Sequence, residues 1–237
     1  MCSNQLSYAA TGEPPVGIEP TTPALPWRCS TTELQGQCSS QERQREDHSR
    51  AQRTWTEGLP STIIGMYLRL AEPDDAEPIR RIYNAEVLGS TATFDLRART
   101  AAEQAEWLRE HQGTYSAVVA IDGTGTVLGF GSLSTYRDRP SYSTTVENSV
   151  YVDEGHRGKG VGHALLEELV RLGTLHGFHS MVARVGGGNA ASIALHEGCG
   201  FELVGVEKEI GRKFNRWLDV AILQRMLGGD GFGADQA

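Results

Sequence analysis

Between Met66 and Leu227 the apolar positions follow two patterns in turn, a helical spacing and a strand alternation, and the switches mark the elements. Met66–Ala71 predicts a short strand. Asp74 and Asp75 then offer N-caps to a helix whose apolar face carries Ile79, Ile82 and Tyr83. A second helix spans Thr100–His111, with Ala101, Ala105 and Leu108 in register and a Thr100/Glu103 capping box at its start. Tyr115–Ile121 and Val127–Tyr136 alternate as strands, and Asp122-Gly123-Thr124-Gly125 between them is a hairpin signal. Thr145–Val152 predicts the next strand, followed by a glycine-rich turn and a helix on Leu165, Leu169 and Leu172. Met181–Val185 is a strand, Asn189–Glu197 a helix, and Phe201–Glu209 and Trp217–Leu227 the two last strands. The order β-α-α-β-β-β-α-β-α-β-β mixes hairpins with crossover units. It predicts an α/β protein (α+β, with a mixed sheet) and helices on both faces.

Residues 1–65 carry no such pattern. They contain Pro14-Pro15, Pro20, Pro23 and Pro26, then a polar run from Gln35 to Arg53. Such a segment buries too little apolar surface to offset its ordering entropy. The stretch Val16–Leu34 also resembles a phrase of spurious reading frames that cross transfer-RNA genes. The expectation is a disordered leader or a mis-assigned start, with translation beginning at Met66, a domain over 66–228 and a flexible tail over 229–237. No basic start followed by an apolar core marks a signal peptide.

The chain is acidic, with 22 Lys and Arg against 30 Asp and Glu and a formal net charge of −8. That balance argues against nucleic acid or an anionic membrane as a bulk partner, since both select a basic face. No apolar stretch is long enough to cross a bilayer. Three cysteines, Cys2, Cys29 and Cys38, fall in the leader, and Cys199 stands alone in the domain. This usage fits a reducing, cytoplasmic setting.

The glycine-rich turn Arg157-Gly158-Lys159-Gly160-Val161-Gly162 sits between a strand and a helix N-terminus. There the first backbone N–H groups lack intrahelical partners and the helix dipole is positive, which favours a phosphate or pyrophosphate. A Walker loop requires Ser or Thr after its Gly-Lys, and here Gly160 follows Lys159. The dinucleotide fingerprint requires Gly-x-Gly-x-x-Gly opening a long βαβ unit, which this element order does not supply. On the residues alone the turn is either a solvated loop or a cradle for some other phosphorylated molecule.

The order of elements, with this loop after the fourth strand, resembles the GNAT superfamily of acetyl-CoA-dependent N-acetyltransferases. The loop matches the family's Arg/Gln-x-x-Gly-x-Gly/Ala signature. Asn189 through Phe201 resembles its second signature, a helix-opening Asn leading to a Gly-Phe strand start. Thr145–Val152, Leu195-His196-Glu197 and Gly211–Asp219 look like the phosphinothricin and methionine-sulfoximine acetyltransferase branch. The resemblance covers Met66–Leu227. It implies a mostly antiparallel sheet with a parallel, splayed pair between the fourth and fifth strands, acetyl-CoA as co-substrate, no metal, and a homodimer.

It also implies roles. An α-amino group of pKa about 8 is only roughly 10% neutral at pH 7, so a base assists the attack on the thioester. Glu147 is the expected base, directly or through water, against the alternative of an outward-facing strand residue. His196 is the expected proton donor to the leaving thiolate, against the alternative of a packing histidine. The backbone of Val150, Tyr151 and Val152 is expected to pair with the pantetheine arm. The N–H groups of Gly158, Lys159, Gly160, Val161, Gly162 and His163 would hold the pyrophosphate, with charge from Arg157 or Lys159, and Asn189 either caps its helix, contacts the CoA arm, or both. Arg137, Arg139, Tyr142 and Phe94 are expected around a small-molecule amine, the arginines on its carboxylate. Ser143 stands where many methionine-sulfoximine relatives carry Arg. Lys213-Phe214 and Arg216-Trp217 complete the pocket or the dimer interface. Cys199, between glycines, is a poor nucleophile, so transfer is expected to be direct. The rival readings are a protein N-terminal or lysine acetyltransferase and a non-catalytic acetyl-CoA sensor.

Overall fold

The computed structural model describes residues 65–228. The expectations for the leader and for the tail at 229–237 lie outside the described residues. The strands are β1 (Met66–Leu70), β2 (Ala117–Asp122), β3 (Val127–Thr135), β4 (Thr145–Val152), β5 (Ser180–Gly186), β6 (Glu202–Lys213) and β7 (Arg216–Met226). The helices are α1 (Ala76–Gly89), α2 (Ala101–Glu110), α3 (Val161–Leu175) and α4 (Ala190–Gly198). The seven strands form one sheet in the order β1-β2-β3-β4-β5-β7-β6. Only β4 and β5 run parallel.

Strand alternation divides the core between the two faces. On one face Val118, Leu133, Val146 and Met181 pack with Leu165, Leu166 and Leu169 of α3. On the other, Val119 and Phe130 pack with Ile79, Ile82 and Val87 of α1 and Leu108 of α2. Helix α3 lies so close to β3 that a Cβ on Gly131 would stand 2.9 Å from Leu169 Cδ1. Among the described residues no helix is long and apolar enough to cross a membrane.

The expected hairpin forms. Asp122 Oδ1 accepts from the N–H groups of Thr124 and Thr126, and Gly125 turns the chain at φ 85°. The expected capping box also closes: Thr100 accepts from the Glu103 N–H, and Glu103 accepts from the Thr100 N–H. β6 runs longer than its spacing predicts, whereas β7 keeps the expected length and lies one residue earlier. β6 passes Glu209 to Lys213, and β7 starts at Arg216. A register shift between Glu207 and Gly211 hides this continuation, because it breaks the period-two pattern. Glu209 adopts φ 50° there, and its N–H donates to Asp219 Oδ1 (2.9 Å). Phe214 and Asn215, both at positive φ, make the tight turn to β7.

Candidate active site

The parallel pairing of β4 with β5 stops early. Thr145, Val146 and Glu147 are in register with Ser180, Met181 and Val182, and beyond them the strands diverge. Because β4 still pairs with β3 as far as Val152, its other edge from Asn148 onward is left without a strand neighbour. A cavity of about 490 Å³ fills the opening. Ser149–Val152 form one wall, Ala183–Gly186 the opposite one, and Gly158, Gly160, Gly162 and His163 the end.

That end is built by conformation. Gly158 and Gly160 sit at φ 72° and 83°, in the left-handed region where a side chain is strained. No side chain caps α3. The first intrahelical bond through this turn is donated by Ala164 to the Gly160 carbonyl (3.0 Å), so the preceding N–H groups are free for an anion. The Arg157 side chain is half exposed. Its Nε donates to the Val152 carbonyl (3.3 Å), and its guanidinium pairs with Glu86 on α1. Lys159 Nζ donates to the Gly155 carbonyl (2.8 Å), and the Val161 side chain is in the core. Neither is on the cavity wall, so any share they have in anion binding comes through backbone N–H groups.

The two proton-transfer candidates lie on opposite faces of β4. Val146 belongs to the core under α3, and Tyr151 packs among Phe130 and Tyr83 on the α1 face. By alternation Glu147 points to the α1 face and Asn148 to the α3–α4 face. Glu147 stands just below the divergence rather than on the cavity wall. Burial pushes its carboxyl above the usual range, and the Arg184 charge pulls it partly back. His196 is buried on α4 and lines the cavity. Its Nδ1 lies 2.7 Å from the Ser192 carbonyl oxygen and its Nε2 3.0 Å from Asn148 Oδ1, with the Phe201 ring edge-on at 5.2 Å. Burial pulls its titration down, against the Ser192 hydrogen bond. Asn189 caps α4 by accepting from the Ser192 N–H (3.1 Å) and also lines the cavity.

The expected substrate residues divide. Arg137 lies over the rings of Tyr136 (5.1 Å) and Tyr142 (5.6 Å), and these rings meet edge to face. Arg139 precedes the same turn at Pro140–Tyr142. None of the three is on the cavity wall. Phe94 packs across the end of β5, where a Cβ on Gly186 would be 2.8 Å from its ring. Lys213 is buried beneath the loop that carries Phe94 and donates to the Thr93 carbonyl (2.7 Å). Among the cavity residues that escape the sequence reading are Asn148 and Glu86. Asn148 is the strand neighbour of Glu147, and its link to His196 spans 48 positions. Glu86 accepts from Ser90 Oγ (2.5 Å) and pairs with Arg157 across 71 positions.

His163, Glu167 and Cys199 place potential metal-ligand atoms within 4.8 Å of one another. Burial, with Glu167 beside it, holds the Cys199 thiol protonated, its pKa pushed up to about 12, and Arg225 stands 3.9 Å from Glu167.

The matching family model is that of the acetyltransferase (GNAT) family, over residues 77–201. The chain is 41% identical over 162 residues to an L-methionine sulfoximine/L-methionine sulfone acetyltransferase of Pseudomonas aeruginosa, covering 68% of this chain and 94% of that one. It is 38% identical over 172 residues to a phosphinothricin N-acetyltransferase of Streptomyces coelicolor, covering 71% of this chain and all of that one. A solved phosphinothricin acetyltransferase from Sinorhizobium meliloti, in complex with acetyl-CoA, superposes with a TM-score of 0.68 at 43% identity, covering 70% of this chain and 90% of that one. The splayed strands, the glycine loop and these similarities agree: the chain belongs to the GNAT family of acetyltransferases.

Proposed function

We propose that the protein transfers the acetyl group of acetyl-CoA to the amino group of a small amino acid or analogue of the methionine sulfoximine or phosphinothricin kind. The observation that carries this is the unpaired edge of β4 leading straight into the free N–H groups of α3. An extended pantetheine arm satisfies the backbone of Val150–Val152 as an added strand would, and its pyrophosphate then meets the glycine loop. In this arrangement the thioester would lie where the strands separate, with Glu147 on one face of β4 and His196 on the other.

The amine approaches from the α1 face. Glu147 takes its proton, directly or through water, and its raised pKa brings it closer to that of an amine, which improves it as a base. The nitrogen bonds to the acetyl carbon, the carbon–sulfur bond breaks, and the sulfur keeps the electron pair. The Arg137 and Arg139 guanidiniums, on the β3–β4 connection with Tyr142, suit an α-carboxylate, while Phe94 stands apart from them at the end of β5. We also infer that two copies pair through the β6–β7 edge, where Leu203, Val204, Val206, Ile210, Phe214 and Trp217 stay exposed. Cys199, the one cysteine among the described residues, fits a cytoplasmic setting.

The test is thiol release by the purified full chain with acetyl-CoA and a panel of amino acids, methionine sulfoximine, methionine sulfone and phosphinothricin. Turnover on an α-amino acid is expected. Binding of acetyl-CoA without turnover on any amine would overturn the proposal in favour of a sensor.

A further inference from the structure

The hydrogen-bond ring around His196 constrains its protonation. Asn148 Nδ2 donates to the Val182 carbonyl (3.2 Å), the residue at which the parallel ladder ends. That carbonyl can only accept, so it fixes the amide with Oδ1 turned toward His196 Nε2 at 3.0 Å. On the far side, the Ser192 carbonyl also only accepts, and it stands 2.7 Å from Nδ1. Each neutral arrangement sets two acceptors against each other. With the proton on Nδ1, the Nε2 lone pair faces Asn148 Oδ1. With the proton on Nε2, the Nδ1 lone pair faces the Ser192 carbonyl. Flipping the amide rescues Nε2 but turns Oδ1 against the Val182 carbonyl. Only a ring with both N–H groups satisfies every contact.

We propose that Asn148 holds His196 as a doubly protonated imidazolium whose Nε2 proton, parked on Asn148 Oδ1, is the one given to the leaving thiolate. Asn148 is a positioning residue here, and its catalytic consequence rests on the acetyl-transfer reading above. When the carbon–sulfur bond breaks, the sulfur takes the Nε2 proton and the ring becomes neutral. Its lone pair then faces Asn148 Oδ1, which favours recovery of a proton from solvent before the next cycle. The groups facing the ring are the Ser192 carbonyl from α4, Asn148 from β4 and the Phe201 ring edge beyond α4. Of the charged and titratable side chains lining the same cavity, Glu86 pairs with Arg157 and Arg184 with Glu207, and neither these nor His163 hydrogen-bonds to the ring. Burial opposes the charge, so the ring of hydrogen bonds has to outweigh it.

The deciding experiment is a long-range proton–nitrogen correlation spectrum of the full chain with nitrogen-15-labelled histidine. The signal of His196 is assigned by its loss in His196→Gln. At pH 7 both ring nitrogens should carry protons, so the midpoint should exceed 7. A ring with one bare nitrogen at pH 7, or a midpoint below that value, overturns the proposal. Asn148→Leu removes the acceptor and should leave only the Nδ1 proton at pH 7, whereas a ring still doubly protonated overturns it. In turnover, kcat should fall as pH rises through the His196 midpoint. In Asn148→Leu that fall should begin at lower pH, with about tenfold less activity above the midpoint for each unit moved. An inactive wild-type chain would count against the acetyl-transfer reading, and the spectrum would still decide the charge state.

Discussion

Replacing Glu147 with Gln should move activity and stability in opposite directions. The carboxylate is half-buried, which raises its pKa, and the Arg184 charge only partly offsets this. A group whose folded pKa is raised above its unfolded value weakens the fold at every pH where it must be ionised. The penalty is absent below the unfolded value of about 4.3 and appears as pH rises through the folded one. At pH 7 the wild type carries that penalty, and the neutral amide does not. Glu147→Gln should therefore leave the melting temperature equal or higher at pH 7, with the difference shrinking toward pH 4. Partial exposure screens the charge and keeps the gain small; each 1 kcal/mol is worth roughly 2–4 °C in a domain of this size.

Activity should fall. A well-placed base contributes about 10²- to 10⁴-fold, or roughly 3–5 kcal/mol of barrier. The deficit should be largest near neutrality, where most of the amine is protonated, and should narrow above pH 9. On the acid side, wild-type kcat/KM should drop through a midpoint higher than that of an exposed glutamate, and the variant should lose this limb. The assay is thiol release from pH 5 to 10 alongside thermal melts of both proteins. A variant with an unchanged pH profile refutes the assignment of the base. A marked fall in melting temperature at pH 7 refutes the argument that the carboxylate is held at a cost.

Gly158→Ala places a methyl group in open space, yet the backbone there is at φ 72°. The strain of about 1–2 kcal/mol should raise the KM for acetyl-CoA roughly five- to thirtyfold with little change in kcat, as initial rates would show. Arg137→Gln together with Arg139→Gln should raise the KM for the amino acid and spare that for acetyl-CoA, and an equal rise in both would remove these residues from substrate binding. Leu169→Ala, at a fully buried position between α3 and β3, should cost about 2–5 kcal/mol in denaturant unfolding. Trp217→Asp on the exposed β7 face should shift the protein to monomer in light scattering at micromolar concentration, whereas an unchanged mass would leave the β6–β7 edge without a partner.

The elements were legible because their signals are local. A helix announces itself through Leu165, Leu169 and Leu172, a hairpin through Asp122 and Gly125, and a phosphate loop through glycines between a strand and a helix. β6 beyond Glu209 was not legible, since a bulge there breaks the alternation on which a strand is recognised. The contacts of Glu86 and Asn148 were illegible for another reason. Each depends on where a second element lands, 71 and 48 positions away, and one sequence holds no record of that docking.

One relation in the site follows from parity once Val146 is placed under α3. In β4, residues 146, 148 and 150 share a face, and 147, 149 and 151 share the other. Val146 packs under α3, so Glu147 must point away from α3 and α4, and therefore away from His196. A base and an acid on the same side of a strand would compete for one approach to the thioester. Placed on opposite faces of a strand whose neighbour has splayed away, they would, in the proposed reaction, approach the thioester from two directions, the amine entering where the thiolate does not leave. The splay is thus more than a slot for the cofactor. In the proposed reaction it would allow residues from both faces of a sheet to act on one bond, and parity leaves Asn148 on the His196 side of β4.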